Sequence, residues 1–386
     1  MNAYLILEDG TVFKGRHIGA EKDAVSEVVF NTSMTGYTEV FSDPSYAGQA
    51  VCMTYPLIGN YGVCLEDMES ERIWPDAIIV REMSRLPSNF RMDLSLEEYL
   101  EKFNIPGIEG IDTRCLVRIL REKGTMNGFL TTSEHFDKEE VISRLHQYTT
   151  GRVVEKVTCS EIGYYPGNAF VRDSSGRPMR RVSVALLDLG AKYSIIRNLT
   201  RRGCDVTVYP ALTPAEKILE VSPDGIMLSN GPGDPKECTS IIEQIKLLSH
   251  SGIPVFAICL GHQLMALSEG ADTHKLHYGH RGSNHPVKNT ITGKVYISSQ
   301  NHGYVVDTDR LDPSVAIPSF INVNDGTNEG LNYTKLNVET VQFHPEASAG
   351  PHDSSFLFDR FVKRCRDYAA VKKLKNADGG KDYAKR

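Results

Sequence analysis

From Val182 onward, short apolar runs alternate with stretches of helical spacing, and this alternation constrains the fold more than any other property of the chain. Val182 to Leu187 reads as a strand. Lys192 to Arg202 reads as a helix through Ile195, Ile196 and Leu199, stopped by Gly203. Val206 to Tyr209, Pro214 to Leu219 and Gly225 to Ser229 continue as strand, helix and strand, and Thr239 to Ser249, Pro254 to Ile258 and Gly261 to Glu269 as helix, strand and helix. Short Gly, Pro and Asp turns join them. Such a series predicts an α/β domain with a mainly parallel sheet covered on both faces. Ligands then belong at the carboxyl ends of the strands.

The residues before Val182 follow a different pattern. Asp9-Gly10 predicts a hairpin between Tyr4–Leu7 and Thr11–Phe13, and Val28–Phe30 and Ala50–Tyr55 read as further strands. Ser95 to Phe103 and Thr113 to Lys123 have helical periodicity, the latter with Asp112 as N-cap. A chain of 386 residues exceeds what one core usually supports. The expected organisation is therefore an N-terminal α+β domain over 1–165 and a linker over 166–181, where Pro166-Gly167 and Ser174-Ser175-Gly176-Arg177-Pro178 interrupt any periodicity. The α/β domain then spans 182–370, followed by a Lys-rich tail, 371–386, expected to fray.

The composition excludes several functions. A net charge of −6 gives no basic field for nucleic acid or an anionic membrane, and no apolar stretch approaches the roughly 20 residues that span a bilayer. Eight cysteines without a C-x-x-C pair fit a soluble protein of the reducing cytoplasm.

One cysteine stands out by position. In Pro254-Val255-Phe256-Ala257-Ile258-Cys259-Leu260-Gly261-His262-Gln263-Leu264 a buried strand runs directly into a helix with Cys259 at the junction. A sharp strand-to-helix turn exposes its apex, and the helix N-terminus favours a thiolate there. A core cysteine that merely follows a strand would leave the same local pattern. The late segment Val341-Gln342-Phe343-His344-Pro345-Glu346 puts a histidine at a second strand end, with Pro345 turning Glu346 back toward it. That is a base and its orienter, or a surface histidine beside a proline turn. In Leu228-Ser229-Asn230-Gly231-Pro232-Gly233-Asp234-Pro235, glycines let backbone amides approach a ligand, and the Gly233 and Leu260 amides together could bind an oxyanion. An ordinary strand-to-helix turn is the alternative.

Together the three elements resemble the class I (triad) glutamine amidotransferases. In the first domain, Phe30-Asn31-Thr32-Ser33-Met34-Thr35-Gly36-Tyr37, Asp43-Pro44-Ser45-Tyr46, Tyr55-Pro56-Leu57-Ile58-Gly59-Asn60-Tyr61-Gly62 and Gly110-Ile111-Asp112-Thr113-Arg114 are similar to the small-subunit family of carbamoyl phosphate synthetase. The resemblance spans nearly the whole chain. It implies a swivelling β/β/α first domain, a flavodoxin-like second domain, and a triad of Cys259, His344 and Glu346 that releases ammonia from glutamine through a thioester. It implies glutamine binding by Ser45, Gly231, Gly233, Leu260, Gln263, Asn301, Gly303 and Tyr304, with Ser45 supplied by the first domain. It also implies a large-subunit partner that receives the ammonia, binds ATP and Mg, and makes carbamoyl phosphate from bicarbonate for arginine and pyrimidine synthesis. This chain has no Gly-x-x-x-x-Gly-Lys-Ser/Thr loop, so no nucleotide cofactor is expected on it.

Two positions depart from the family: Ala257 stands where Gly is usual, two residues before the cysteine, and Tyr304 where some relatives have Phe. His274, His277, His280 and His285 could be read as a metal cluster, but Gly279, Gly282 and Ser283 suggest a loop there, and no metal is expected. A non-catalytic scaffold is disfavoured because all three triad residues are present. An amidotransferase subunit of another pathway is disfavoured by the Asn31-Thr32-Ser33 region.

Overall fold

A computed structural model describes residues 1–168, 172, 175–176, 178, 180–347 and 349–379, with 310 and 375–379 described by backbone alone. Seven strands close a barrel in the first domain, in the order Asn2–Leu7, Val12–Gly19, Pro106–Glu109, Ala77–Ile79, Gln49–Met53, Ala24–Asn31 and Met126–Thr131. The expected hairpin is there: Leu5 faces Phe13 across an antiparallel pair, and Gly10 supplies the turn's positive φ of 83°. The helix Thr113–Lys123 starts where Asp112 accepts a hydrogen bond from the Cys115 amide at 2.9 Å. It buries Leu116 and Leu120, one turn apart, in a core with Leu5, Val28, Ile79 and Ile108.

Ten strands form the second sheet, in the order Gly163–Tyr165, Cys204–Pro210, Val182–Asp188, Gly225–Leu228, Val255–Ile258, Val338–Val341, Asn328–Tyr333, Ala316–Asn322, Asp272–Asn289 and Val295–Asp307. The strands from Cys204–Pro210 to Val338–Val341 are parallel and follow the 2-1-3-4-5 order of a flavodoxin-like sheet. Helices cover both faces. Ile195, Leu199, Phe358 and Phe361 pack on one, and Ile218, Ile245 and Leu264 on the other.

Four expectations need correction. The sheet is only half parallel, because five strands beyond the flavodoxin-like core pair antiparallel. The histidine-rich stretch expected as a loop lies in the 18-residue strand Asp272–Asn289; bulges near Gly279 and Gly282 absorb the glycines while the strand continues. The strand before His344 ends at Val341, so His344 is reached through a short turn and a single bridge to Ser299. Domain limits shift at both ends. Gly163–Tyr165 already pairs with Val206–Val208 of the second sheet, so the chain crosses between domains before 166–181. The final helix, Phe356–Gly379, extends through the first part of the expected tail, with Lys372 capping the Ser222 carbonyl. Residues 380–386 of that tail, and linker residues 169–171, 173, 174, 177 and 179, lie outside the described residues.

Candidate active site

Cys259 sits at φ 53°, ψ −105°, between the strand Val255–Ile258 and the helix Leu260–Ser268. A non-glycine residue in that region costs roughly 1–3 kcal/mol, a strain that recurs where a turn must present a nucleophile. The surrounding frame holds it. Cys259 donates its amide to Val341 O at 2.9 Å, and the Gly261 amide is taken by Ser229 O at 3.0 Å. Leu260, the first helical residue, has no intrahelical acceptor for its N–H. Ala257 is fully buried in mid-strand with Leu228 and Thr340 as register partners, so the turn forms with a methyl group at that position.

The second strand end meets the first. His344 Nδ1 lies 2.6 Å from Glu346 Oε1, so the ring donates from Nδ1 to the carboxylate. Its Nε2 is buried and has no hydrogen-bond partner of good geometry, yet Cys259 is among the groups that raise the imidazole pKa. Burial and Lys192 press that pKa down; Glu346 and Cys259 more than offset them, and it rises to about 9. Glu346 is pushed the other way. Burial favours its neutral form, but Lys192 and His344 hold it at about 2.

Lys192 was not foreseen from the sequence. Its Nζ is 2.7 Å from Glu346 Oε1, and both side chains are buried. It follows Asp188-Leu189-Gly190 at the end of a parallel strand, a placement that could have drawn attention to it. Asp43 and Asn230 were missed as well. Asn230 Nδ2 donates to Ser45 Oγ at 2.9 Å, and Asn301 Nδ2 donates to Asp43 Oδ2 at 3.1 Å, so both bonds tie the barrel to the second domain.

A cavity of about 290 Å³ opens at Cys259. Ser45, Gly231, Gly233, Gln263, Asn301, Gly303 and Tyr304 all line it, whereas Leu260 does not and reaches the site only through the helix N-terminus. Asn301 O lies 3.9 Å from Cys259 Sγ. Gly231 leaves no room for a side chain, since a Cβ would fall 2.1 Å from Leu189 O, and Gly233 adopts φ +91°. Gln263 Nε2 donates to Tyr304 O at 2.8 Å and to Gln342 Oε1 at 3.0 Å, which fixes its orientation.

The four sequence-spaced histidines do not assemble together. His274 and His277 are exposed. His280 instead meets His302 and Glu329, with donor atoms within 4.8 Å of one another. Each of those groups has a hydrogen-bond partner, His280 Nε2 with Asp325 at 2.8 Å, His302 Nδ1 with Tyr304 O at 2.8 Å, and Glu329 Oε1 accepting from Gln300 and Asn322, both at 2.8 Å, while His280 Nδ1 and Glu329 Oε2 are buried without one.

A flavodoxin-like sheet with a cysteine elbow and a His-Glu pair at neighbouring strand ends is the arrangement of a class I glutamine amidotransferase. Residues 185–364 match the family model for glutamine amidotransferase class-I, and residues 5–130 match that for the carbamoyl-phosphate synthase small chain, CPSase domain. Over 363 residues the chain is 50% identical to the carbamoyl phosphate synthase small chain of Fusobacterium nucleatum, covering 94% of this chain and 98% of that one. The small chain of Oceanobacillus iheyensis is 47% identical over 380 residues, 98% of this chain and 99% of its own. The chain belongs to the carbamoyl-phosphate synthase small chain family.

Proposed function

We infer that this chain is the glutaminase subunit of a glutamine-dependent carbamoyl phosphate synthetase. The observation that carries the reading is the convergence of the Cys259 elbow, the His344–Glu346–Lys192 chain and Ser45 of the other domain on one site. Glutamine occupies the 290 Å³ cavity, held by Ser45, Gly231, Gly233, Gln263, Asn301, Gly303 and Tyr304, with Leu260 reaching it through its backbone amide at the helix N-terminus. The Cys259 thiolate attacks the side-chain carboxamide carbon, and the amides of Leu260 and Gly233 receive the negative charge that develops on oxygen. His344, oriented by Glu346, gives its proton to the departing nitrogen, and ammonia leaves. Water then adds to the γ-glutamyl thioester with His344 taking its proton, the C–S bond breaks, and glutamate departs.

Ammonia passes to a large subunit, where ATP and Mg drive its condensation with bicarbonate to carbamoyl phosphate for arginine and pyrimidine synthesis in the cytoplasm. The chain's free cysteines suit that compartment, and among the described residues no helix is long and apolar enough to cross a membrane. A small space lined by Ser33, Asp43, Lys192, Asn301 and His344 adjoins the triad and offers ammonia a way out. We assign the barrel to the swivelling β/β/α type, its role here being to supply Ser45 and Asp43.

Cys259→Ser tests the reading in the complex reconstituted with the large subunit. Glutamine-driven synthesis should vanish while ammonia-driven synthesis persists. Retained glutaminase activity would remove Cys259 from the mechanism, and a wild-type chain that hydrolyses no glutamine, alone or in complex, would make it a scaffold.

A further inference from the structure

The helix Tyr193–Arg201 begins without a cap of its own. Its N-cap residue is Lys192, whose ammonium donates but cannot accept, so this side chain cannot bond the helix's first amides. The other domain takes them instead. Glu69, 1% exposed, lies in the connection between the barrel strands Gln49–Met53 and Ala77–Ile79. Its backbone carbonyl accepts from the Tyr193 amide at 2.8 Å, one carboxylate oxygen from the Ser194 amide at 3.0 Å, and the other from Ser194 Oγ at 2.6 Å. A carboxylate is the favourable charge at a helix N-terminus.

Glu69 is itself anchored to the loop that carries Asp43 and Ser45. Its amide donates to Ser42 Oγ at 2.8 Å, and Ser70 Oγ donates to Ser42 O at 2.6 Å. Lys192 is fixed on its own side as well, its amide donating to Asn230 Oδ1 at 3.1 Å while its Nζ meets Glu346 Oε1 at 2.7 Å. Burial disfavours the charge on Lys192, but Glu346, Asp43 and Glu69 more than offset it and raise its pKa. Burial raises the pKa of Glu69 in turn, with Lys192 and Ser194 pulling the other way.

We propose that Glu69 is a positioning residue for glutamine hydrolysis: by capping the helix Tyr193–Arg201 from the first domain it holds Lys192 against Glu346, and through Glu346 it keeps His344 aimed at Cys259. A serine or aspartate at the N-cap could serve the helix without outside help but would bring no cation to Glu346. The cation therefore comes from one domain and the cap from the other. Glu69 belongs to the first domain, yet it acts on the chemistry through a group at a parallel strand end. The proposal rests on Cys259 hydrolysing glutamine.

Steady-state ammonia release from glutamine by the purified full-length chain tests it. Glu69→Gln removes the charge and one of the two carboxylate acceptors, and should lower kcat by up to about 10²-fold, the loss that a displacement of roughly 1 Å can cause, with KM nearly unchanged. In a Lys192→Met background the same change should lower kcat by no more than about twofold, because the group it positions is gone. An unchanged kcat in Glu69→Gln, or equal fold losses in the two backgrounds, overturns the proposal, since a merely structural contact would weaken both alike. Ser194→Ala deletes only the hydroxyl bond and serves where Glu69→Gln does not fold. It should show a smaller drop with the same dependence on Lys192, and equal losses with and without Lys192 overturn the proposal there too. Urea unfolding reads the link without turnover. The midpoint shifts of Glu69→Gln and Lys192→Met should sum to more than the shift of the double variant, and a strictly additive pair overturns the proposal. Failure of the function itself would appear differently, as a wild-type chain that hydrolyses no glutamine while the two residues remain coupled in unfolding.

Discussion

In the parallel half of the large sheet the reactive groups sit just past strand ends: Lys192 after Val182–Asp188, the Gly231–Gly233 loop after Gly225–Leu228, Cys259 after Val255–Ile258, and His344 beyond Val338–Val341. In the antiparallel half the groups at the site lie within long strands, Arg281 in Asp272–Asn289 and Asn301 to Tyr304 in Val295–Asp307. Those mid-strand groups are backed by a buried polar cluster of His280, His302, Gln300 and Glu329. The difference is one of task. On the proposed mechanism, parallel strand ends aim a nucleophile, a base and backbone amides at one point, whereas the antiparallel strands and the barrel build the walls that recognise what is held there.

If that division is right, variants of the first half should act on turnover and variants of the second on binding or stability. The largest effect is expected for His344→Asn, which removes the proton carrier and should lower kcat for glutamine by about 10²–10⁴-fold with little change in KM, measured by steady-state ammonia release. Lys192→Met comes next. It removes one of the two cations that face buried Glu346, and breaking a buried pair typically costs about 3–5 kcal/mol, so denaturant unfolding should show a loss of up to that order along with reduced kcat. Ser45→Ala tests the recognition side: it deletes the hydroxyl that accepts from Asn230, and KM should rise by about 2- to 12-fold while kcat stays nearly constant. A turnover defect as large as that of His344→Asn would break the division.

The smallest effect concerns His280. Burial disfavours its charge, but Asp325 and Glu329 more than compensate and raise its pKa from 6.5 to about 9. The folded state therefore binds this proton more tightly than the unfolded chain. The resulting stability is complete below about pH 6.5 and is lost as pH rises through 9. His280→Gln should flatten the decline in melting temperature between pH 6.5 and 9. An identical slope in wild type and variant would show that His280 carries no excess proton.

How much of this the sequence disclosed follows the same division. The elbow, the His-x-Glu turn and the Gly231–Gly233 loop are contiguous motifs at predictable strand ends, and the helix Thr113–Lys123 announces itself through Asp112 and its apolar spacing. The strand Asp272–Asn289 was hidden because its two bulges break the period of two near Gly279 and Gly282. Lys192 with Glu346, Asp43 with Asn301 and Asn230 with Ser45 meet across more than 150 residues, and no local pattern encodes such pairings. Gly163–Tyr165 carries no sign of its sheet in the sequence, because three residues are too few to signal which one they join.

The central claim, that Cys259 is the nucleophile for glutamine hydrolysis, is tested most directly by acid-quenching the chain during turnover of radiolabelled glutamine and mapping the label to a peptide. The account predicts a thioester-linked γ-glutamyl group on Cys259, accumulating further in His344→Asn if deacylation slows more than acylation. Label on another residue, or steady hydrolysis in Cys259→Ser, would contradict it.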